Sequence, residues 1–403
     1  MAADHVMTTL PPWLRTAIGA QATLLVGMGL GRFSYTPMVP ALIQSGAMPA
    51  AEAGLVGAAN LGGYLVGGLS LPWLLARFPP PVILRACLVL SFLALVASAV
   101  PAGFAWLTAC RGLLGITVAV MMILAISAVT AAAPAHRLGQ ATGVAFTGVG
   151  LGILFAAAAL PALLAQGLAW AWLGTAAIGA VGLVIGLWGW SGAAPGRPPA
   201  PPVPGPAPAG LQPVAVRLVL AQGLFSLGLV PHSIWWVDYL VRGLGWPLTA
   251  GGLQWVLFGA GAVAGTFAWG RLADRIGFSP ALTLAFASLS AAIALPVLVP
   301  GEASVILSSL VVGAQPGLSA VIAGRAQRAM GAASMLGLWR WMVLAVGLGQ
   351  LAGGFGLVAL FSARGSYVEV FLVGAAAMLG GAVLAAGLPV DSASRIPHPR
   401  GRT

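Results

Sequence analysis

The sequence is short of almost everything that a water-soluble surface needs. Charged residues fill 6% of its 403 positions, against about a quarter in an ordinary soluble domain. Lysine is absent, so all 18 basic residues are arginine. Only seven acids occur: Asp4, Glu52, Asp238, Asp274, Glu302, Glu369 and Asp391. A cytosolic globule of this composition would have nothing polar to face water with, and a disordered chain needs far fewer apolar residues. Cysteine is scarce too. Cys87 and Cys110 stand in apolar runs without CxxC or Cys/His spacing, so neither a disulfide framework nor a metal site is expected. No Gly-rich phosphate loop, HExxH or GxSxG pattern occurs. The chain does not read as an enzyme, and no catalytic residue, metal or cofactor is expected. The net charge of +11 does not point to nucleic acid, because the arginines are scattered singly rather than gathered on one face.

What is present is hydrophobic. Apolar residues make up 60% of the chain and the mean hydropathy is +1.00. The 57 glycines and 30 prolines fit as well, both being commoner in membrane helices than in soluble ones. A spanning helix needs about 20 apolar residues. Cutting the chain at polar and Pro/Gly breaks gives twelve such stretches: 13–43, 51–76, 82–100, 104–132, 138–165 and 168–190, then 214–242, 248–270, 279–299, 303–328, 331–361 and 366–389. The expected class is therefore an all-α integral membrane protein. Residues 1–191 form a first six-helix bundle and 214–389 a second. Between them lies 192–213, where nine of 22 residues are proline, an extended linker that cannot be helix. Residues 390–403 are a polar tail. No cleaved signal peptide is evident: polar residues 1–12 run into an apolar stretch at Trp13, and the first helix would be its own uncleaved signal.

Arginine sets the orientation. With the N-terminus inside, thirteen arginines fall on the cytoplasmic side, whereas Arg242 and Arg364 fall at outer ends with Glu52, Glu302 and Glu369. The asymmetry places both termini in the cytoplasm of a bacterial inner-membrane protein. A shift of 197 residues superposes Gly31 on Gly228, Gly62 on Gly259, Gly68 on Gly265 and Val149–Gly152 on Val346–Gly349. One constant offset over several helix pairs indicates a duplicated six-helix unit, with a site between the halves near the midplane.

Three segments carry a family resemblance. Gly270-Arg271-Leu272-Ala273-Asp274-Arg275-Ile276-Gly277, expected as a loop, closely resembles the G-x-L-a-D-R-x-G signature of the major facilitator superfamily. Its small ends permit a tight turn, and Asp274 can accept bonds from arginines or from a helix N-terminus. Gly270, Asp274, Arg275 and Gly277 are thereby candidates for a conformational latch. The corresponding first-half loop, Trp73–Pro80, has lost the Asp and both glycines. Leu107–Gly115, containing Arg111, resembles the family's fourth-helix l-x-x-x-R-x-x-x-G pattern. Gly29-Leu30-Gly31-Arg32-Phe33-Ser34-Tyr35-Thr36-Pro37 is similar to the first helix of the YbfB/YjiJ-like bacterial branch. The resemblance spans 13–389. It implies two six-helix halves, alternating access, and a cavity lined by helices 1, 4, 7 and 10.

Polar groups inside the spans are the candidate site. A charge at the bilayer centre costs roughly 2.5–3.5 kcal/mol on insertion scales, so each should face protein or a water-filled cavity. Arg32, Tyr35, Arg111, His232, Trp235, Gln315 and Arg340 are the candidate solute-binding residues. His232 and Asp238 are the candidates for proton coupling, the first by its titration range. The alternatives are an Arg32 bonded to helix-end carbonyls, a structural or proton-relaying Arg111, a snorkelling Arg340, and an Asp238–Arg242 surface ion pair. The fixed cavity charge is positive, which favours a small organic anion or a carboxylate-bearing metabolite as solute, carried by a monomer. The alternative function is a multidrug or metabolite exporter with a mainly apolar pocket. A Pro late in the fifth stretch, Pro161, departs from the Gly-Pro-rich helix that the resemblance would give a drug/proton antiporter.

Overall fold

In the computed structural model, residues 10–35, 38, 41, 42, 45–191, 213–236 and 239–389 are described. Pro37, Pro40, Asp238, residues 192–212 and the 390–403 tail lie outside them. Nearly all the described chain is helical. Eleven helices among the described residues are long and apolar enough to cross a membrane. The first span joins them as a continuous helical run from Pro12 to Phe33.

We number the spans in chain order. α1 is Pro12–Leu24, continued by a π-helical turn Leu25–Leu30 and by Gly31–Phe33. α2 is Ala50–Leu75, α3 Pro80–Ala97, α4 Gly103–Ala132, α5 Leu138–Ala158 and α6 Leu168–Ser191. α7 is Pro213–Gly228, continued by Val230–Ile234 and a π turn Tyr239–Gly243. α8 is Leu248–Ile276, α9 Phe278–Leu298, α10 Glu302–Gly331, α11 Gly337–Phe361 and α12 Tyr367–Ala386. Proline opens α1, α3 and α7, where its missing N–H costs nothing.

The irregularities have readable causes. Pro231 starts a new helical turn in α7, and Pro316 follows a break at Ala314–Gln315 in α10. The backbone of α10 runs on into α11, but Gly331, at φ 72°, kinks it into two spans. One boundary differs from expectation. The Gly270–Gly277 signature is not a loop: α8 continues through it to Ile276, because nothing in 271–276 breaks a helix. Gly277, at φ 93°, makes the turn that a side chain would resist.

Burial runs inside out relative to a soluble domain. Leu69, Val184, Leu298, Leu348 and Val383 are more than half exposed, as befits residues facing acyl chains. The cores of α4, α5 and α10 are the most enclosed, with 72%, 72% and 78% of their apolar windows buried. The 197-residue duplication is visible in the packing. A Cβ on Gly150 of α5 would strike Ala262 of α8, and a Cβ on Gly347 of α11 would strike Leu65 of α2. The same offset relates Gly150 to Gly347 and Leu65 to Ala262. The six spans before Ser191 and the six after Pro213 thus meet along two related seams, α5 against α8 and α2 against α11.

Candidate functional site

The π turn of α1 sits where Gly27, Gly29 and Gly31 let neighbouring helices approach. Gly31 and Arg32 lie in the short helical segment just beyond it, where the last carbonyls of a helix lack intrahelical donors. Arg111 of α4 supplies the donors: its guanidinium bonds the Gly31 carbonyl, and Nη2 reaches the Arg32 carbonyl at 3.4 Å. It also lies 4.6 Å from the Tyr35 ring centroid, and Tyr35 stacks on Trp172 at 6.5 Å. Arg111 is 2% exposed and its Nε has no partner. Asn60 of α2 holds the backbone here by donating to the Arg111 carbonyl at 3.1 Å.

Arg32 is turned another way. Its Nη2 donates to the side-chain oxygen of Gln350 on α11, a bond across the two halves. Nη1 faces the Met28 sulfur at 4.0 Å, and Cζ stands 5.8 Å from both the Tyr64 and Phe33 rings. No acid among the described residues pairs with it. The cation is half-buried, and its partners are a carboxamide, a thioether and two π faces.

The other candidates do not join this group. His232 is buried within α7, where Nε2 shares a 2.9 Å hydrogen bond with Ser308 of α10. Its ring stacks on Trp236 at 4.5 Å and meets Phe371 of α12 at 5.3 Å, while Nδ1 has no partner. Trp236 donates to Ser309, whose hydroxyl donates to Gln254 of α8 at 2.8 Å. Trp235 is buried beside Phe361 at 6.1 Å. Gln315 is buried at the α10 break. Arg340 is half-buried, with Nε unpartnered and Cζ 5.7 Å from the Trp341 ring. Next to it, Trp339 meets Phe146 of α5 edge-on at 6.3 Å, a contact between the two halves.

The latch residues gather at the arginine-rich side. Asp274, near the end of α8, accepts the backbone N–H of Gly139 through Oδ1 and of Gln140 through Oδ2, both at 2.9 Å. Those donors are unmatched first-turn amides of α5, and a carboxylate there also complements the helix dipole. Gly270 and Gly139 allow the contact, since a Cβ on either would strike the other's carbonyl oxygen. Arg328 adds a 3.3 Å bond to the Ala135 carbonyl. Arg275 is exposed and is not needed to satisfy Asp274. Tyr64 and the Gly139–Gln140 amides are partners that the sequence did not single out, and Gln350 it marks only as a polar group that could glue helices or line the pathway.

A family model described as "uncharacterised MFS-type transporter YbfB" matches residues 24–386. The chain belongs to this family of the major facilitator superfamily. It is therefore a multi-pass membrane transport protein and not an enzyme. A comparison with curated sequences gives no significant match. Solved structures of the same fold exist at low identity. A bacterial homologue of the iron transporter ferroportin, in an outward-facing state, is 17% identical with a TM-score of 0.71, covering 93% of this chain and 98% of its own. A double-Trp mutant of XylE is 14% identical with a TM-score of 0.75, covering 93% and 95%. The proton:xylose symporter XylE bound to a bromo-deoxy-glucose is 14% identical with a TM-score of 0.73, covering 93% and 94%. At such identities the superfamily fold is what is shared.

Proposed function

We propose that this transporter moves a small organic anion, or a metabolite bearing a carboxylate, by alternating access. The observation behind the reading is the environment of Arg32. A guanidinium within a span is held by backbone carbonyls, as Arg111 is, or by a counter-charge, and the described surroundings of Arg32 supply only a carboxamide, a thioether and π faces. A carboxylate on the solute would complete the site, bound through the planar fork that suits arginine to this task. Phe33, Tyr64 and Met28 would then pack on an apolar body attached to that acid. In this proposal Arg32 is the ligand-contacting group. Arg111 positions it by holding the bent end of α1, and Tyr35 packs on Arg111. Gln315, Trp235 and Arg340 are proposed to shape the path above and below.

The rival function, export of lipophilic cations, would set a cation against Arg32 without an acid between them. Like charges at such a depth repel strongly, so the anion reading is preferred. Proton coupling is a further part of the proposal. His232 and Asp238 are its candidates, the first because it is a buried imidazole with an unpartnered nitrogen. The proposed setting is a monomer in a bacterial inner membrane with the arginine-rich face in the cytoplasm. A ligand-dependent melting experiment tests the anion site. Carboxylates should raise the midpoint of the purified protein, by mass action, and leave Arg32→Ala unmoved. Lipophilic cations that stabilise both proteins equally would transfer the case to the exporter.

A further inference from the structure

Gln350 occupies Arg32 in a way that makes the pair a switch. Its place on α11 is fixed independently of the hydrogen bond. Val343, Leu344, Gly347 and Gln350 recur at helical spacing. The first three pack on Gly68 and Leu65 of α2. This stripe faces the first half, and Gln350 is its polar end. The bond uses Nη2 of Arg32, while Nη1 has only the Met28 sulfur, 4.0 Å away.

We propose that Gln350 is an internal stand-in for the solute. Its side-chain oxygen holds the guanidinium of the empty transporter, and an arriving carboxylate displaces it. This rests on the anion reading above and adds a competitor to it. The exchange is favourable because a carboxylate brings a full opposite charge to the guanidinium and can engage both Nη groups together, whereas the carboxamide offers one neutral oxygen. Displacement also cuts the tie between α1 and α11. Binding of the acid and release of this cross-half contact become a single event, so a neutral analogue of the solute should neither bind nor release it.

The test uses full-length detergent-purified protein and a panel of lactate, succinate and benzoate as probes. Melting midpoints are measured against probe concentration for the unaltered chain, Gln350→Ala, Gln350→Leu, Gln350→Glu, Arg32→Gln, and the last two combined. Removing the competitor should tighten the best probe about tenfold, which corresponds to roughly 1.4 kcal/mol. Gln350→Leu, close to glutamine in volume, guards against a packing defect in the alanine variant. Gln350→Glu should abolish probe binding by installing a permanent counter-ion. It should also raise the midpoint without probe, and the rise should vanish when Arg32→Gln is added. Weaker probe binding in both Gln350→Ala and Gln350→Leu would make Gln350 an ordinary solute contact and overturn the inference while leaving the anion site intact. A Gln350→Glu rise that persists without Arg32 would overturn the pairing. No stabilisation of the unaltered chain by any probe would overturn the anion reading, and this inference with it.

Discussion

Two arginines meet at the Gly31–Phe33 segment of the first span and do opposite things. Arg111 spends its donors on the carbonyls of Gly31 and Arg32, so it belongs to the scaffold. Arg32 keeps its charge toward the seam between the halves. Arg111→Gln should therefore lower stability, because the buried Gly31 carbonyl loses its donor at about 1–3 kcal/mol and the part-buried Arg32 carbonyl loses a weaker one. Arg32→Gln should cost little stability and remove carboxylate binding. Melting midpoints with and without carboxylate separate the two outcomes, and equal loss of stability in both variants would contradict the division of labour. The sequence marks both arginines as out of place in a span, and it offers a carbonyl-bonded arginine as one alternative. It attaches that role to Arg32, whereas the structure gives it to Arg111. The outcome depends on which carbonyls at the Gly31–Phe33 end of the first span face α4, and the sequence around them looks like any other apolar run. Gln350 is harder still to find, since 318 positions separate it from Arg32.

At the scale of elements, α5 and α8 meet at a bonded junction on the arginine-rich side, which we propose as the restraint there. Asp274 caps α5 across the boundary between the halves, and the close approach of Gly139 and Gly270 lets it reach. Asp274→Asn keeps the shape but puts an NH2 where one oxygen accepted. It should weaken the junction by about 1.5–3 kcal/mol, the worth of a hydrogen bond to a charged group. Gly139→Val should do so as well, by steric separation of the two backbones. Spin labels on the arginine-rich ends of α5 and α8 should report longer distances in both variants, and unchanged distances would remove the junction from the account. The contact of Asp274 with a helix N-terminus is legible, because that is one of the partners the sequence offers it. The secondary structure of the signature is not legible. Flanking glycines suggest a loop, yet the segment between them has no helix breaker, so α8 runs through to Gly277.

For the whole molecule, composition decides most of the architecture. With so few charges and so many apolar runs of about 20 residues, a helical membrane bundle is the way to satisfy every backbone group in lipid. The repeat is readable for the same reason that it matters: Gly150 and Gly347 are fixed by close approach in equivalent seams. Sidedness rests on arginine counts and has a direct check. Ala194→Cys in the linker should react with a membrane-impermeant maleimide only in inverted vesicles, and Ala303→Cys, beside Glu302, only in intact cells. Cys87 and Cys110 are buried and should contribute little background. The reverse pattern would invert the topology.

The central claim is that Arg32 binds an acid during transport, and counterflow in proteoliposomes tests it most directly. Vesicles loaded with an unlabelled carboxylate that stabilises the protein should accumulate the labelled acid transiently when they contain the unaltered chain. Vesicles containing Arg32→Gln, folded and reconstituted to the same density, should not. Equal accumulation by both would contradict the account, because the acid would then be crossing without the residue assigned to hold it.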